Sequence, residues 1–126
     1  MDAGDTFLAA NKELEDHLWV IISDPDQDPD RVLCVSLTTA APHKELVCLI
    51  EAGEHPWVTH QTCVAYDKAR LVTRQQLFAL KDSGTIIKHP PVGDGLLKRI
   101  RDGCLASADL PMEFAELLAN QGLIDL

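Results

Sequence analysis

The sequence predicts a mainly β domain, a small antiparallel barrel or curled sheet with about three short peripheral helices. Three observations predict it. Short apolar runs rich in β-branched residues recur at roughly ten-residue spacing over the first two-thirds of the chain. The apolar period then lengthens to that of a helix at Thr73. Each later helical pattern has its own start and stop residues. A chain of 126 residues that is 46% apolar can bury roughly two-thirds of its unfolded surface, so a core needs neither disulfide nor metal. One domain over 1–126 is expected, with the barrel at about 4–73 and a helical part at about 73–126.

LWVII at 18–22 is a continuous apolar run suited to a strand buried on both faces. SDPDQDPD at 23–30 is a turn, because proline presets φ and aspartates bond neighbouring amides. In RVLCVSLTT at 31–39, alternation puts Val32, Cys34 and Ser36 on one face and Leu33, Val35 and Leu37 on the other. ELVCLIEAG at 45–53 reads as a third strand ending in a glycine turn. TCVAY at 62–66 and ARLVT at 69–73 read as two short strands around a polar Asp67-Lys68 turn.

TRQQLFALKDSG then has a threonine N-cap with Gln76 three positions on, a capping box, and Gly84 as its stop. Leu77, Leu80 and Phe78 form its apolar stripe. KHPPVGDG at 88–95 is a stiff connector, after which Asp94 caps a helix over GLLKRIRDG that Gly103 closes. Pro111 opens a last helix over PMEFAELLANQG that Gly122 stops. The apolar residues of 104–126 are expected to dock onto the barrel, with a second subunit as the other candidate.

The net charge of -9, from 20 acidic and 11 basic residues, disfavours nonspecific binding to phosphate backbones. Two local basic groups stand against that background: Arg70 with Arg74, and Lys98 with Arg99 and Arg101. Cys34, Cys48, Cys63 and Cys104 form no CxxC pair, and two of them lie inside apolar runs as buried thiols do. No basic leader with a long apolar stretch opens the chain, and no run approaches 18 apolar residues, so a cytoplasmic protein with reduced thiols and no membrane contact is expected.

The order of these elements resembles the PemK/MazF family, toxins of bacterial toxin–antitoxin pairs. The resemblance covers approximately residues 4–103. Gly4-Asp5 stands like the family's opening glycine–acid pair, LWVIIS like its second strand, and RVLCVSLTT like the next. EAGEHPWVTHQTCVAYDKARLV is similar to the loop, strand and turn before its short helix, and LLKRIRDG to its closing helix. The resemblance implies an SH3-like barrel, an endoribonuclease that cuts single-stranded RNA without metal or cofactor, an antitoxin partner and a homodimer. It credits catalysis to an arginine before the second strand and a threonine or serine after the third. Here Asp16 or His17 holds the arginine's place, Leu18 the following proline's, and Thr38 and Thr39 the hydroxyl's.

Such cleavage needs a base for the ribose 2′-hydroxyl, an acid for the leaving 5′-oxygen and a cation on the pentacovalent phosphate. The catalytic candidates are therefore His17, Thr38, Thr39, His55 and His60. Histidine carries its charge fully only below about pH 6.5, unlike arginine. Trp57 and Tyr66 can stack bases or anchor a protein partner, with Arg70 and Arg74 as cations beside them. A zinc reading of His55, His60 and Cys63 lacks a fourth ligand nearby, and the 23–30 loop lacks the glycine and distal glutamate of a calcium loop. The second functional reading is a non-catalytic barrel that binds a protein partner or small ligand.

Overall fold

The computed structural model of the protein describes residues 1–10 and 17–126. Six strands and three helices follow in the order β1 (Thr6–Ala9), β2 (Leu18–Ile21), β3 (Val32–Thr39), β4 (Leu49–Ile50), β5 (Thr62–Val72), α1 (Arg74–Asp82), β6 (Ile86–His89), α2 (Asp94–Ala106) and α3 (Met112–Asn120). All pairings are antiparallel, in the sheet order β4-β5-β3-β2-β1-β6. Among the described residues no pairing joins β4 to β6, so the ladder is an open sheet and not the closed barrel expected from the sequence. β4 contributes only two residues, too few to carry a ladder round to the other edge.

β2 and β3 form the centre, with Leu18 opposite Leu37 and Val20 opposite Val35. The alternation read in β3 holds. Leu33, Val35 and Leu37 join Leu18, Val20 and Ile22 in the larger core under α2 and α3. Val32 and Cys34 join Phe7, Ile21, Leu77 and Ile86 in a smaller core on the other face, which α1 covers. This explains why LWVII is apolar throughout: both faces of β2 are roofed.

Where the sequence suggested two strands and a turn at 62–73, one long strand runs through. The register shifts between Cys34–Arg70 and Ser36–Ala65, so that Tyr66, Asp67, Lys68 and Ala69 stand opposite Val35 alone. This bulge turns Tyr66 into the large core, where it is 1% exposed and its hydroxyl donates to the Ile100 carbonyl of α2 at 2.7 Å. The strand expected over 45–53 shrinks to β4, because the Glu45 carboxylate is held by the Ser107 hydroxyl at 2.5 Å and the Ala108 amide at 2.9 Å. β6, which runs two residues into the stretch read as a connector and is not expected as a strand from the sequence, pairs with β1 through all four of its residues.

α1 starts as expected, whereas α2 is capped by Gly93 with Asp94 as its first residue and no side-chain cap bond, and Pro111 is the cap of α3 and not part of its first turn. In α1 the Gln76 amide donates to Thr73 Oγ1 at 3.0 Å and Thr73 N donates to Gln76 Oε1 at 2.8 Å. Only Leu77 of its stripe is buried; Phe78 is 70% exposed. Gly84 follows at φ +77°, a conformation that suits glycine. Gly103 does not close α2, which continues to Ala106. Its place is set by contact: a Cβ there would lie 2.0 Å from Tyr66 Oη. The C-terminal stretch packs in cis, with Leu117, Leu118 and Ile124 in the large core. No helix of the described residues is long and apolar enough to cross a membrane.

Gly103→Ala should therefore lower unfolding stability by about 2–3 kcal/mol through overpacking, measured by denaturant titration. In a Tyr66→Phe background, which removes the hydroxyl, the same change should cost less; an equal cost in both backgrounds would contradict the contact. Burial pushes the Cys34 and Cys104 thiols up to about 12. Since the thiolate is the nucleophile, both should resist iodoacetamide at pH 8 in the native protein and react on unfolding, as read by mass spectrometry.

Candidate active site

A cleft of about 660 Å³ opens on the face of the sheet that α1 covers farther along. Its floor follows from strand alternation: beyond Cys34, the next same-face positions of β3 are Ser36 and Thr38, and both line the cleft. The antiparallel register that sets Leu18 opposite Leu37 places His17 opposite Thr38 when continued by one residue. On the other side Thr38 faces Cys63 and Ser36 faces Ala65 of β5. The bulge brings Asp67 and Lys68 to the wall, and the loop after β3 brings His43 and Lys44.

The ring Nδ1–H of His17 donates to the Leu37 carbonyl at 3.2 Å. That bond sets the tautomer, so in the neutral ring Nε2 carries the lone pair. Lys44 Nζ donates to Thr38 Oγ1 at 2.9 Å and to the Thr39 carbonyl at 2.7 Å. With its oxygen accepting from the ammonium, the Thr38 hydroxyl can turn its own hydrogen toward a bound group. The Lys44 loop is braced against the α2–α3 connector by the Glu45 bonds to Ser107 and Ala108. An imidazole, an ammonium and a hydroxyl thus meet at one end of the β2–β3 pair. Together they can take up a proton and stabilise negative charge on oxygen.

The other sequence candidates lie elsewhere. Thr39, on the opposite side of β3, shares a 2.9 Å hydrogen bond between its hydroxyl and His60 Nε2, while His60 Nδ1 lies 3.3 Å from Thr59 Oγ1. Neither Thr39 nor His60 lines the cleft. His55 is a buried brace: its Nδ1 accepts from Trp57 N at 3.0 Å and its Nε2–H donates to the Pro90 carbonyl at 2.6 Å. With both ring nitrogens committed and 2% exposure, it holds the 53–58 loop and is not part of the cleft. Asp16 lies outside the described residues.

Trp57 is half-buried against the large core, and buried Tyr66 offers no face for stacking. Arg74 is neutralised by Asp2 at 2.8 Å and Asp26 at 2.7 Å, whereas the Arg70 guanidinium lies over the Trp19 ring, 5.6 Å from its centroid. Among the described residues, no group of three or more His, Cys, Asp or Glu side chains could hold a metal ion. His55, His60 and Cys63 do not assemble.

Sequence reading missed Lys44 and His43. Both sit in an aperiodic loop, where spacing says nothing about direction. The usable signal was their place a few residues beyond a threonine pair, within reach of the hydroxyls.

No protein-family model matches the chain, and a search of curated proteins finds no significant match. Among solved structures, the chain is similar to an endoribonuclease in complex with its cognate antitoxin from mycobacterial species. The TM-score is 0.56 and the identity 15%, over 88% of this chain and 97% of that one. The likeness is one of fold: a mainly antiparallel β chain with three helices shares the architecture of a toxin endoribonuclease.

Proposed function

We propose that the protein is a toxin-type endoribonuclease, of PemK/MazF kinship, that cuts single-stranded RNA without metal in the His17–Thr38–Lys44 cleft. The observation that carries this reading is Lys44, whose ammonium is bonded to the hydroxyl opposite His17. It supplies, from the loop after β3, the positive charge that the missing arginine would supply from just before the second strand. The shared fold with a solved endoribonuclease supports the same reading.

In this mechanism the ribose 2′-oxygen attacks the adjacent phosphorus while His17 Nε2 takes the hydroxyl proton. The O2′–P bond forms and the P–O5′ bond breaks, leaving a 2′,3′-cyclic phosphate. Lys44 and the Thr38 hydroxyl hold the non-bridging oxygens, whose negative charge peaks in the pentacovalent state. His43, at the cleft wall, returns a proton to the departing 5′-oxygen.

A protein partner is the second reading. The net charge of -9 favours a basic partner segment by complementarity, and the solved neighbour is held in complex with its antitoxin. Micromolar, salt-dependent RNA binding separates the two readings: it belongs to the nuclease and not to a non-catalytic partner-binding protein.

Purified protein incubated with mixed-sequence RNA in EDTA should cut it. His17→Ala should slow cutting by about 10²–10⁴-fold and Lys44→Gln by about 10²–10³-fold, whereas His60→Ala should leave the rate within a few-fold. Cutting that is absent in the unsubstituted protein, or unchanged in both cleft variants, would refute the assignment.

A further inference from the structure

We propose that Trp19 and Arg70 form a subsite for the nucleotide flanking the scissile phosphate, with Arg70 binding that nucleotide's phosphodiester. This rests on the nuclease reading and extends the site beyond the reacting atoms.

Geometry places the pair in line with the cleft. Trp19 stands opposite Ser36, which lines the cleft floor, and Arg70 stands opposite Cys34, the next same-face position of β3. His17 and Trp19 share a strand face two residues apart, a step of roughly 7 Å at the usual rise. An extended single strand lying along β2 with one phosphate at His17, Thr38 and Lys44 therefore carries its neighbouring phosphate or base to Trp19.

The electrostatics point the same way. Arg31 is paired with Asp28, Arg74 with Asp2 and Asp26, and Arg99 with Glu54. Arg70 is exposed, and its side chain makes no ion pair or hydrogen bond among the described residues. Its recorded partner is the Trp19 ring. In a chain with 20 acidic residues, this guanidinium lies over an aromatic ring, 5.6 Å from its centroid, with its five N–H donors uncommitted. A guanidinium with its donors free is suited to a two-point contact with phosphate, and the Trp19 ring beside it can contribute stacking to a base. Of the cleft's carboxylates, Glu45 is already engaged by Ser107 and Ala108. Asp67 and Asp109 also line it, and they oppose any anion that Lys44, Lys68 and Arg70 do not together hold.

The test uses Trp57→Phe protein, in which Trp19 is the remaining tryptophan, and a short mixed-sequence RNA whose 2′-hydroxyls are methylated so that it binds uncut. Binding should change Trp19 fluorescence. Arg70→Ala should weaken affinity about ten-fold and flatten the dependence of log Kd on log salt concentration by about 0.7, the loss of one phosphate contact on a single strand. Arg70→Lys should restore the salt slope but only part of the affinity, since an ammonium keeps the charge without the planar fork. Unchanged affinity and slope in Arg70→Ala, with His17-dependent cutting of ordinary RNA intact, would overturn the subsite and leave the nuclease standing. No binding and no cutting by the unsubstituted protein would remove both.

Discussion

The pairing of β2 with β3, covered on both faces, is the constraint on which the rest of the structure depends. Leu18, Val20, Leu33, Val35 and Leu37 are fully buried on one side, and Ile21, Val32 and Cys34 are buried on the other. A slip of one residue between these strands would reverse the face of every side chain on the slipped strand. It would put the polar Ser36 and Thr38 where Val35 and Leu37 now sit. The register is thus held by apolar burial, and the same register sets His17 against Thr38. The site inherits its geometry from the core.

Two departures from regular pairing turn that core into a cleft. The bulge in β5 sends Tyr66 inward to α2 and leaves Asp67 and Lys68 on the wall. The loop after β3 stays out of the sheet because Glu45 is tied to the start of the α2–α3 connector, and this holds Lys44 over the threonine. Tyr66 and Glu45 both rely on α2, through the Ile100 carbonyl in one case and the residues just past the helix end in the other. The helical part therefore does more than cover the sheet: it locks the two walls of the cleft.

Charge is distributed by the same logic. The chain carries -9 overall, and most of its arginines are spent on structure. Arg74 ties residues 2 and 26 together, Arg99 ties Glu54 and the Leu49 carbonyl to α2, and Arg101 donates to the Ile22 carbonyl at 2.8 Å. Arg99 and the carboxylate of Glu54 perturb each other in the sense of a mutual ion pair, the acid lowered and the base raised. Lys44, Lys68 and Arg70 are different. Lys44 and Lys68 line the cleft beside Glu45, Asp67 and Asp109, and Arg70 lies farther along β5 over the Trp19 ring, so cations and carboxylates are interleaved at the site.

Read alone, the sequence determined the strand alternation of β3, the two-sided burial of β2, the α1 capping box and the approximate helix starts. These are local matters of period and capping chemistry, expressed within a few residues of chain. It also singled out His17 and Thr38, which tertiary pairing brings face to face. Only the tertiary structure decided the rest. His55 looked like an acid–base candidate because its sequence neighbourhood is polar and aromatic, yet the Pro90 carbonyl, thirty-five residues away, fixes its ring as a brace. Gly103 looked like a helix stop, and a ring from β5 makes it a packing position. Lys44 joined the site because a carboxylate one residue on is captured by the α2–α3 connector. Each of these outcomes rests on a contact between distant segments, and no periodicity along the chain encodes which distant segment will arrive.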